Sequence, residues 1–453
     1  MAKKVIMIGS NHAGTFAQTF INSNFKKDVK VTAYDANSNT SFLGCGMAIW
    51  IGGVIDKPDG LFYSSPELLR KSGSNVYTEH EVTDVNFNKK EITVLDLKTG
   101  KEKIDNYDEL IIAVGSWPIQ PKLPGIDLEN ILIAKRFQHA EECMNICKNK
   151  DIESVAVVGG GYIGIELAEA FQVQGKKTTL ITDGKILNRY YDKGFVDQMR
   201  DRLIKNGIHL VENEKVKSFE GVDGKVKKIT TNKGTYNADV VLMSVGVKAN
   251  TGFLRDTKLK MNEKGVIEVN QKQQTNIKGV YAIGDCATVI NNVNGQKSHI
   301  GLATNAVRTG IIASLNAGGV EVSMNGVQGS NAIHIYGLTM ASTGFSQETA
   351  KAMGYETDSV EHEDNLRPEF MPTNAKVRIK VVWDKKTLKI LGAQIMSEED
   401  ITLAIHMFSL AIEQGYTIDK LATLDLFFLP HFNKPNNFIT KAGILALGKI
   451  LKY

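Results

Sequence analysis

Two strand, glycine turn and helix units lie in this chain, and no other local pattern in it constrains the fold as tightly. In "IESVAVVGGGYIGIELAEAF" an apolar run that reads as a buried strand enters a turn with Gly159, Gly161 and Gly164, and a helix opens around Glu166. The spacing is GxGxxG. Its glycines allow a tight turn, a close approach of a pyrophosphate and close packing of helix on strand. A turn of this kind aims backbone N–H groups and the positive end of a helix dipole at an anion. The amino-terminal "KKVIMIGSNHAGTFAQTF" repeats the arrangement with Gly9 and Gly14 but places Asn11 where the middle glycine belongs. A second strand follows each unit and ends near an acid: Asp35 in "VKVTAYDANS" and Asp183 in "KTTLITDGKIL". A carboxylate there accepts from a ribose hydroxyl and repels a 2′-phosphate, so NADH is expected in preference to NADPH. The fold class predicted is α/β, with two Rossmann-like dinucleotide-binding domains. Two such sites point to two cofactors, most simply a resident flavin (FAD) and a visiting nicotinamide (NADH).

A solitary thiol is the second constraint. In "SFLGCGMAIWIGG" Cys45 stands between Gly44 and Gly46. Flanking glycines let the backbone lie close to a planar ring, and a helix starting after the cysteine is expected to lower its pKa. A lone thiol of this kind can cycle between thiolate and sulfenic acid, a reversible two-electron change. The other cysteines read as structural: Cys143 and Cys147 share one helix face in "HAEECMNICKNK", and two sulfurs do not make a metal site. Cys286 follows Asp285 in "TNIKGVYAIGDCAT", a strand ending in Gly284-Asp285 where the aspartate can meet a polar cofactor tail. "YDELIIAVGSWPIQPKLPG" is a strand ending in Gly115-Ser116, followed by a proline-rich crossing between domains.

Composition excludes several classes. Four cysteines in 453 residues argue against a disulfide framework and for a reducing compartment, so a cytoplasmic protein is expected. The amino-terminal apolar run reads as a strand rather than a signal peptide. "MAIWIGGVI" and "LAIHMFSLAI" fall short of the roughly 20 residues that span a bilayer, so no membrane is expected. A net charge of +4, from 54 basic and 50 acidic residues without a basic stripe, gives no sign of nucleic-acid binding.

The ordered set "GSNHAG", "SFLGCGMAIWIGG", "LIIAVGS", "VVGGGYIGIELAEAF", "TNIKGVYAIGDCAT", "GLATNAVRTG" and "DLFFLPHFNKPNNFIT" resembles the water-forming NADH oxidases of the pyridine nucleotide-disulfide reductase superfamily, beside NADH peroxidase and coenzyme A-disulfide reductase. The resemblance spans nearly the whole chain. It implies an FAD domain at 1–118 and 247–325, an NADH domain at 119–246 and a carboxy-terminal α+β dimerisation domain at 326–453, through which a homodimer closes the partner's active site. It also implies that Cys45 and His12 are catalytic, with dioxygen and NADH as substrates. Cofactor contacts are implied at Gly9, Asn11, His12, Ala13, Gly14, Asp35, Ser41, Cys45, Ala113, Gly115 and Ser116. For the second unit and the return segments they are implied at Gly159, Gly161, Tyr162, Ile163, Gly164, Glu166, Asp183, Gly246, Gly284, Asp285, Leu302, Ala303, Thr304 and Phe428. Larger reductases of the superfamily carry a second cysteine in CxxxxC, but Trp50 occupies that position here, so no disulfide forms. Hydrogen peroxide in place of dioxygen, reduction of coenzyme A disulfide, and electron relay to a carrier protein stay open as alternatives. Phe432 and His431 in the carboxy-terminal segment and the dispersed charge weigh against the last two.

Overall fold

The computed structural model describes residues 2–451. Its first sheet is parallel. Lys3–Ile8 is central, flanked on one side by Val29–Asp35 and Asn75–Thr78 and on the other by Glu109–Ile112 and Val280–Ala282. A second parallel sheet has the same plan: Ser154–Val158 is central, Lys177–Ile181 and His209–Val211 lie on one side, and Val240–Met243 and Ile131–Ile133 on the other. Each central strand is apolar on both faces beyond its first residues, because helices cover one face of the sheet and an antiparallel meander covers the other. Each unit also carries a three-stranded antiparallel meander, His80–Asn86 to Glu102–Asn106 in the first and Val216–Val222 to Thr235–Asn237 in the second. The α/β class and the duplicated unit expected from the glycine spacing are both present.

The chain crosses between the sheets twice, and the crossings pair: Ser116–Pro118 runs antiparallel to Val247–Ala249. After returning, it contributes Val280–Ala282 to the first sheet and the helix Ala303–Ala317. Gly310 of that helix packs so closely on the helix His12–Asn24 that a Cβ would lie 2.8 Å from Ala13 O. The carboxy-terminal part is a five-stranded antiparallel sheet from Asn331–Ile335 to Ile390–Ser397, with the helices Ile405–Glu413 and Phe438–Ile450 against it.

A buried ion pair ties this sheet to the second nucleotide unit. Asp192, before the helix Lys193–Lys205, lies 3.0 Å from Lys380 Nζ, and both side chains are at most 10% exposed. Gln394 Nε2 donates to the same carboxylate at 2.8 Å, and the Gln347 N–H at 3.1 Å. Desolvating two charges is costly, but stranding one is worse. Asp192→Ala should therefore lower stability by about 3–5 kcal/mol, and Asp192→Ala with Lys380→Met should recover much of it. Thermal denaturation of both variants measures this; equal melting temperatures for the single variant and the parent would rule out the pair as an anchor.

Candidate functional site

Both glycine turns are built alike. Gly9 and Gly159 adopt φ of 103° and 126°, where a side chain is strained, and a Cβ on either would strike a strand-end carbonyl, Ala113 O or Ser244 O. A Cβ on Gly14 or Gly164 would strike the carbonyl of Gly9 or Gly159, so only glycine lets each helix seat against its turn. Neither helix has a side-chain cap or an acid in its first turn, and the same holds for the helix that starts with Ala303 and Thr304 after Leu302. Three helix starts therefore keep first-turn N–H groups available to an anion. Gly115 and Gly161 each face open space where a side chain would stand. These donors and this room fit a dinucleotide at each turn.

The first turn is closed around Asp35, which accepts from Ser10 N at 2.7 Å and Asn37 N at 2.8 Å. Burial raises the Asp35 pKa, against the pull of these N–H groups and of Arg136. Ser41 lies beneath: its N–H donates to Ser10 O, and its hydroxyl donates to Ser64 O at 2.6 Å while accepting from Ser64 N. Ser41 thus fastens the cysteine segment to the glycine turn. Gly284 packs between Ala13 and Ala306, and Gly301 sits over the Asp285 carboxyl. Asp285 accepts from Ser116 Oγ at 2.7 Å, and Lys135 lies 3.7 Å away.

In the second unit the positions shift by one. Tyr34 accepts from Gly9 N and pairs with Ile8, whereas Ile181 accepts from Gly159 N and pairs with Val158. The residue matching Asp35 is therefore Thr182, not Asp183. Thr182 is buried, and its Oγ1 would lie 2.9 Å from a Cβ on Gly160, just as Asp35 faces Ser10. Asp183 is the next residue, exposed and without a side-chain hydrogen bond or ion pair among the described residues. The sequence spacing pointed to Asp183 because no end-of-strand signal separates it from Thr182; by register Thr182 takes the strand-end place. Gly246 follows the strand Val240–Met243 at φ 112°. Tyr162 is bonded through its hydroxyl to Asn331 and Tyr191, while Ile163 is 46% exposed. Phe428 is also exposed, on the carboxy-terminal segment and outside every core cluster of the described residues.

Cys45 is free and exposed, in a 3-10 turn Gly44–Gly46 that leads into the helix Met47–Ile51. Trp50 stacks on Phe137 with centroids 5.6 Å apart, and Phe42 and Phe62 pack on the same ring. That aromatic anchor holds the turn against the second unit: Gly52 leaves room for Ala170, 3.5 Å from where its Cβ would be. The thiol pKa is raised, contrary to the expectation of a helix-lowered value. Partial desolvation of the sulfur by the surrounding protein, on a residue whose surface stays accessible, is the largest cause, and the Glu166 carboxylate adds repulsion; the N–H groups of Cys45 and Gly46 pull the other way and lose. A five-residue helix has too small a dipole to reverse this. Glu166 itself is pushed up to about 7, by burial and then by Glu169.

His12, first in its helix, has its pKa lowered by burial and then by Lys135, against Asp285, so the imidazole is neutral near pH 7. Tyr63 Oη lies 2.9 Å from His12 Nδ1, and the rings stack at 5.7 Å. Burial and the neighbouring Cys45 hold the Tyr63 phenol protonated, so phenol and neutral imidazole share one hydrogen bond; with the phenol as donor to Nδ1, the His12 proton stands on Nε2. Sequence reasoning missed Tyr63, Lys135 and Arg136. Tyr63 belongs to no local motif, and the two cations carry a signal only as adjacent basic residues after the strand Ile131–Ile133. Arg136 lies over Trp117 at 4.6 Å.

Two outcomes follow from these charges. Glu166→Gln should lower the Cys45 pKa, seen as alkylation by iodoacetamide that accelerates at a lower pH than in the parent; an unmoved profile would remove Glu166 from the sulfur's surroundings. Tyr63→Phe deletes the bond to Nδ1 of the neutral imidazole, so His12 should titrate at higher pH and shift its tautomer balance, both visible in ¹⁵N NMR. A His12 titration identical in the two proteins would contradict the bond.

A family model described as pyridine nucleotide-disulphide oxidoreductase matches residues 3–310, and one described as the dimerisation domain of such enzymes matches 332–436. An NADH oxidase of Streptococcus pyogenes is 46% identical, covering 98% of this chain and 99% of its own. A water-forming NADH oxidase from Lactobacillus brevis bound to NADH superposes with a TM-score of 0.96 at 36% identity, over 100% of this chain and 99% of that one. An engineered mutant of it, a water-forming NADPH oxidase bound to NADPH, has the same score and identity over 99% of both chains.

Proposed function

The chain belongs to the pyridine nucleotide-disulphide oxidoreductase family, and from that premise we propose that it is an FAD-dependent NADH oxidase that reduces dioxygen to water. One observation carries the finer part: a free, accessible thiol with no cysteine partner among the described residues, acted on by Glu166 of the second unit and itself acting on Tyr63, the phenol hydrogen-bonded to His12. We assign FAD to the unit of residues 1–118 and 247–325 and NADH to 119–246. The interface is assigned to 326–453, where Phe427, Phe428 and Phe432 stand exposed as an apolar face for a second copy.

The first site would hold FAD through the N–H groups around Gly9, Asn11, Ala13 and Gly14, Asp35 at the ribose, and Asp285 with Ser116 along the chain that joins ring to phosphate. When bound, FAD takes hydride from NADH and delivers electron pairs to oxygen. The protein's own groups deal with the peroxide-level product. The Cys45 thiolate attacks one oxygen; an S–O bond forms, the O–O bond breaks, and the leaving oxygen departs as water after taking a proton. We assign the supply of that proton to His12, which is linked through Tyr63 to the surroundings of Cys45. The sulfenic acid then accepts the hydride equivalent of a second NADH, which releases the second water and restores thiolate. In sum, two NADH, one dioxygen and two protons give two NAD⁺ and two waters.

A raised Cys45 pKa makes the thiolate scarce at low pH, so the thiol step should speed up as pH rises while hydride transfer does not. Cys45→Ser should keep NADH oxidation but release hydrogen peroxide, with the NADH consumed per dioxygen falling from two to one. Oxygen-electrode measurement with a peroxide assay decides this. A serine variant that still makes only water would take Cys45 out of the reaction. A parent protein idle with dioxygen but active with hydrogen peroxide would make the chain a peroxidase.

A further inference from the structure

The two nucleotide units can be laid on one another residue by residue through their strand pairings, and they differ at the position that reads the adenosine ribose. Gly9, Ser10 and Asn11 match Gly159, Gly160 and Gly161, and Tyr34 matches Ile181 through the same N–H to carbonyl bond, 2.8 Å in both units. Asp35 in the first unit therefore corresponds to Thr182 in the second, and the contact of Asp35 with Ser10 corresponds to that of Thr182 with Gly160. A neutral hydroxyl replaces a carboxylate.

We propose that this chain accepts NADPH as well as NADH, with Thr182 as the residue that sets the specificity. The inference rests on the oxidase assignment above and adds a second reductant to it. A strand-end carboxylate excludes a 2′-phosphate by charge repulsion while bonding a 2′-hydroxyl. Thr182 cannot repel, and its hydroxyl makes no hydrogen bond among the described residues, so it is available to either ligand. The charges around it do not restore the discrimination. Glu212 is already occupied: it accepts from Ile186 N at 3.0 Å and lies 3.8 Å from Arg200. Asp183 points from an exposed, unanchored position, and the same loop carries Lys185 and Arg189, both exposed and in no ion pair among the described residues. The loop that follows Thr182 thus carries one free acid and two free cations among the described residues. The Lactobacillus brevis relative provides a precedent for the fold alone, since its engineered form binds NADPH.

The test is calorimetric titration of the oxidised, FAD-loaded protein with NAD⁺ and with NADP⁺, which reads the site without turnover. The dissociation constants should lie within about tenfold of each other, and Thr182→Asp should weaken NADP⁺ by about tenfold or more while leaving NAD⁺ nearly unchanged. Steady-state kcat/KM ratios for NADPH over NADH should move in parallel. A parent that binds NADP⁺ more than about a hundredfold more weakly than NAD⁺ overturns the proposal. So does an Asp183→Asn variant that by itself raises NADP⁺ affinity to that of NAD⁺, because discrimination would then reside in Asp183. Similar binding of both nucleotides with oxidation of neither supports this inference while sinking the oxidase assignment.

Discussion

The contact on which the chemistry depends is the seat of the helix Met47–Ile51 on the helix Tyr162–Val173. Gly52 lies at this contact, where a Cβ would already touch Ala170 at 3.5 Å and crowd Ala48 O at 3.0 Å. The aromatic group of Phe42, Trp50, Phe62 and Phe137 holds it, each good ring pair adding about 0.5–1.5 kcal/mol beyond the area it buries. The cysteine belongs in sequence to the first nucleotide unit, but this packing places its sulfur where Glu166 of the second unit acts on it. Neither unit alone would create the site. Trp50 stands where related reductases carry a second cysteine, and it converts a redox partner position into a structural anchor.

The backbone plan was legible because glycine at Gly9, Gly14, Gly159 and Gly164 is required by contacts that no other residue permits. The isolated thiol was legible for a similar reason: its flanking glycines and lack of a partner are visible in the string itself. Three other features were not. The one-residue offset between Asp35 and Thr182 depends on where a strand stops, which hydrogen-bond register decides and composition does not. Tyr63 reaches His12 only because the segment after the cysteine folds back, fastened by Ser41 to Ser64. The direction of the Cys45 shift depends on how burial balances against two N–H groups, and a helix pattern in sequence says nothing about its own length or about Glu166.

Charge around the first turn is arranged in short neutralised sets. Asp285 meets Ser116 and Lys135, and Asp35 meets two N–H groups and feels Arg136. These sets keep polar groups satisfied in a partly dehydrated wall, where an unpaired charge would be costly. Lys135 also lowers the His12 pKa, so the cation that balances Asp285 helps keep the imidazole neutral. A neutral imidazole can give the proton of its N–H and take one at its bare nitrogen. An imidazolium at the same place could not accept one.

The asymmetry between the two turns is itself functional evidence. In the first, the strand-end acid is locked by two backbone bonds, the cysteine segment is bonded beneath it, and the Gly284 turn and a second helix start close over it. Such a site is preorganised: little ordering entropy is lost when a ligand enters, so affinity is high and release is slow. In the second, Gly161 and Ile163 are exposed, Asp183 is unanchored, and the Thr182 hydroxyl has no bonding partner among the described residues. Fewer fixed groups mean weaker holding and faster exchange. The proposed assignment, a resident group at the first turn and a reductant that comes and goes at the second, calls for this division, which follows from glycine and strand register rather than from any residue that reacts.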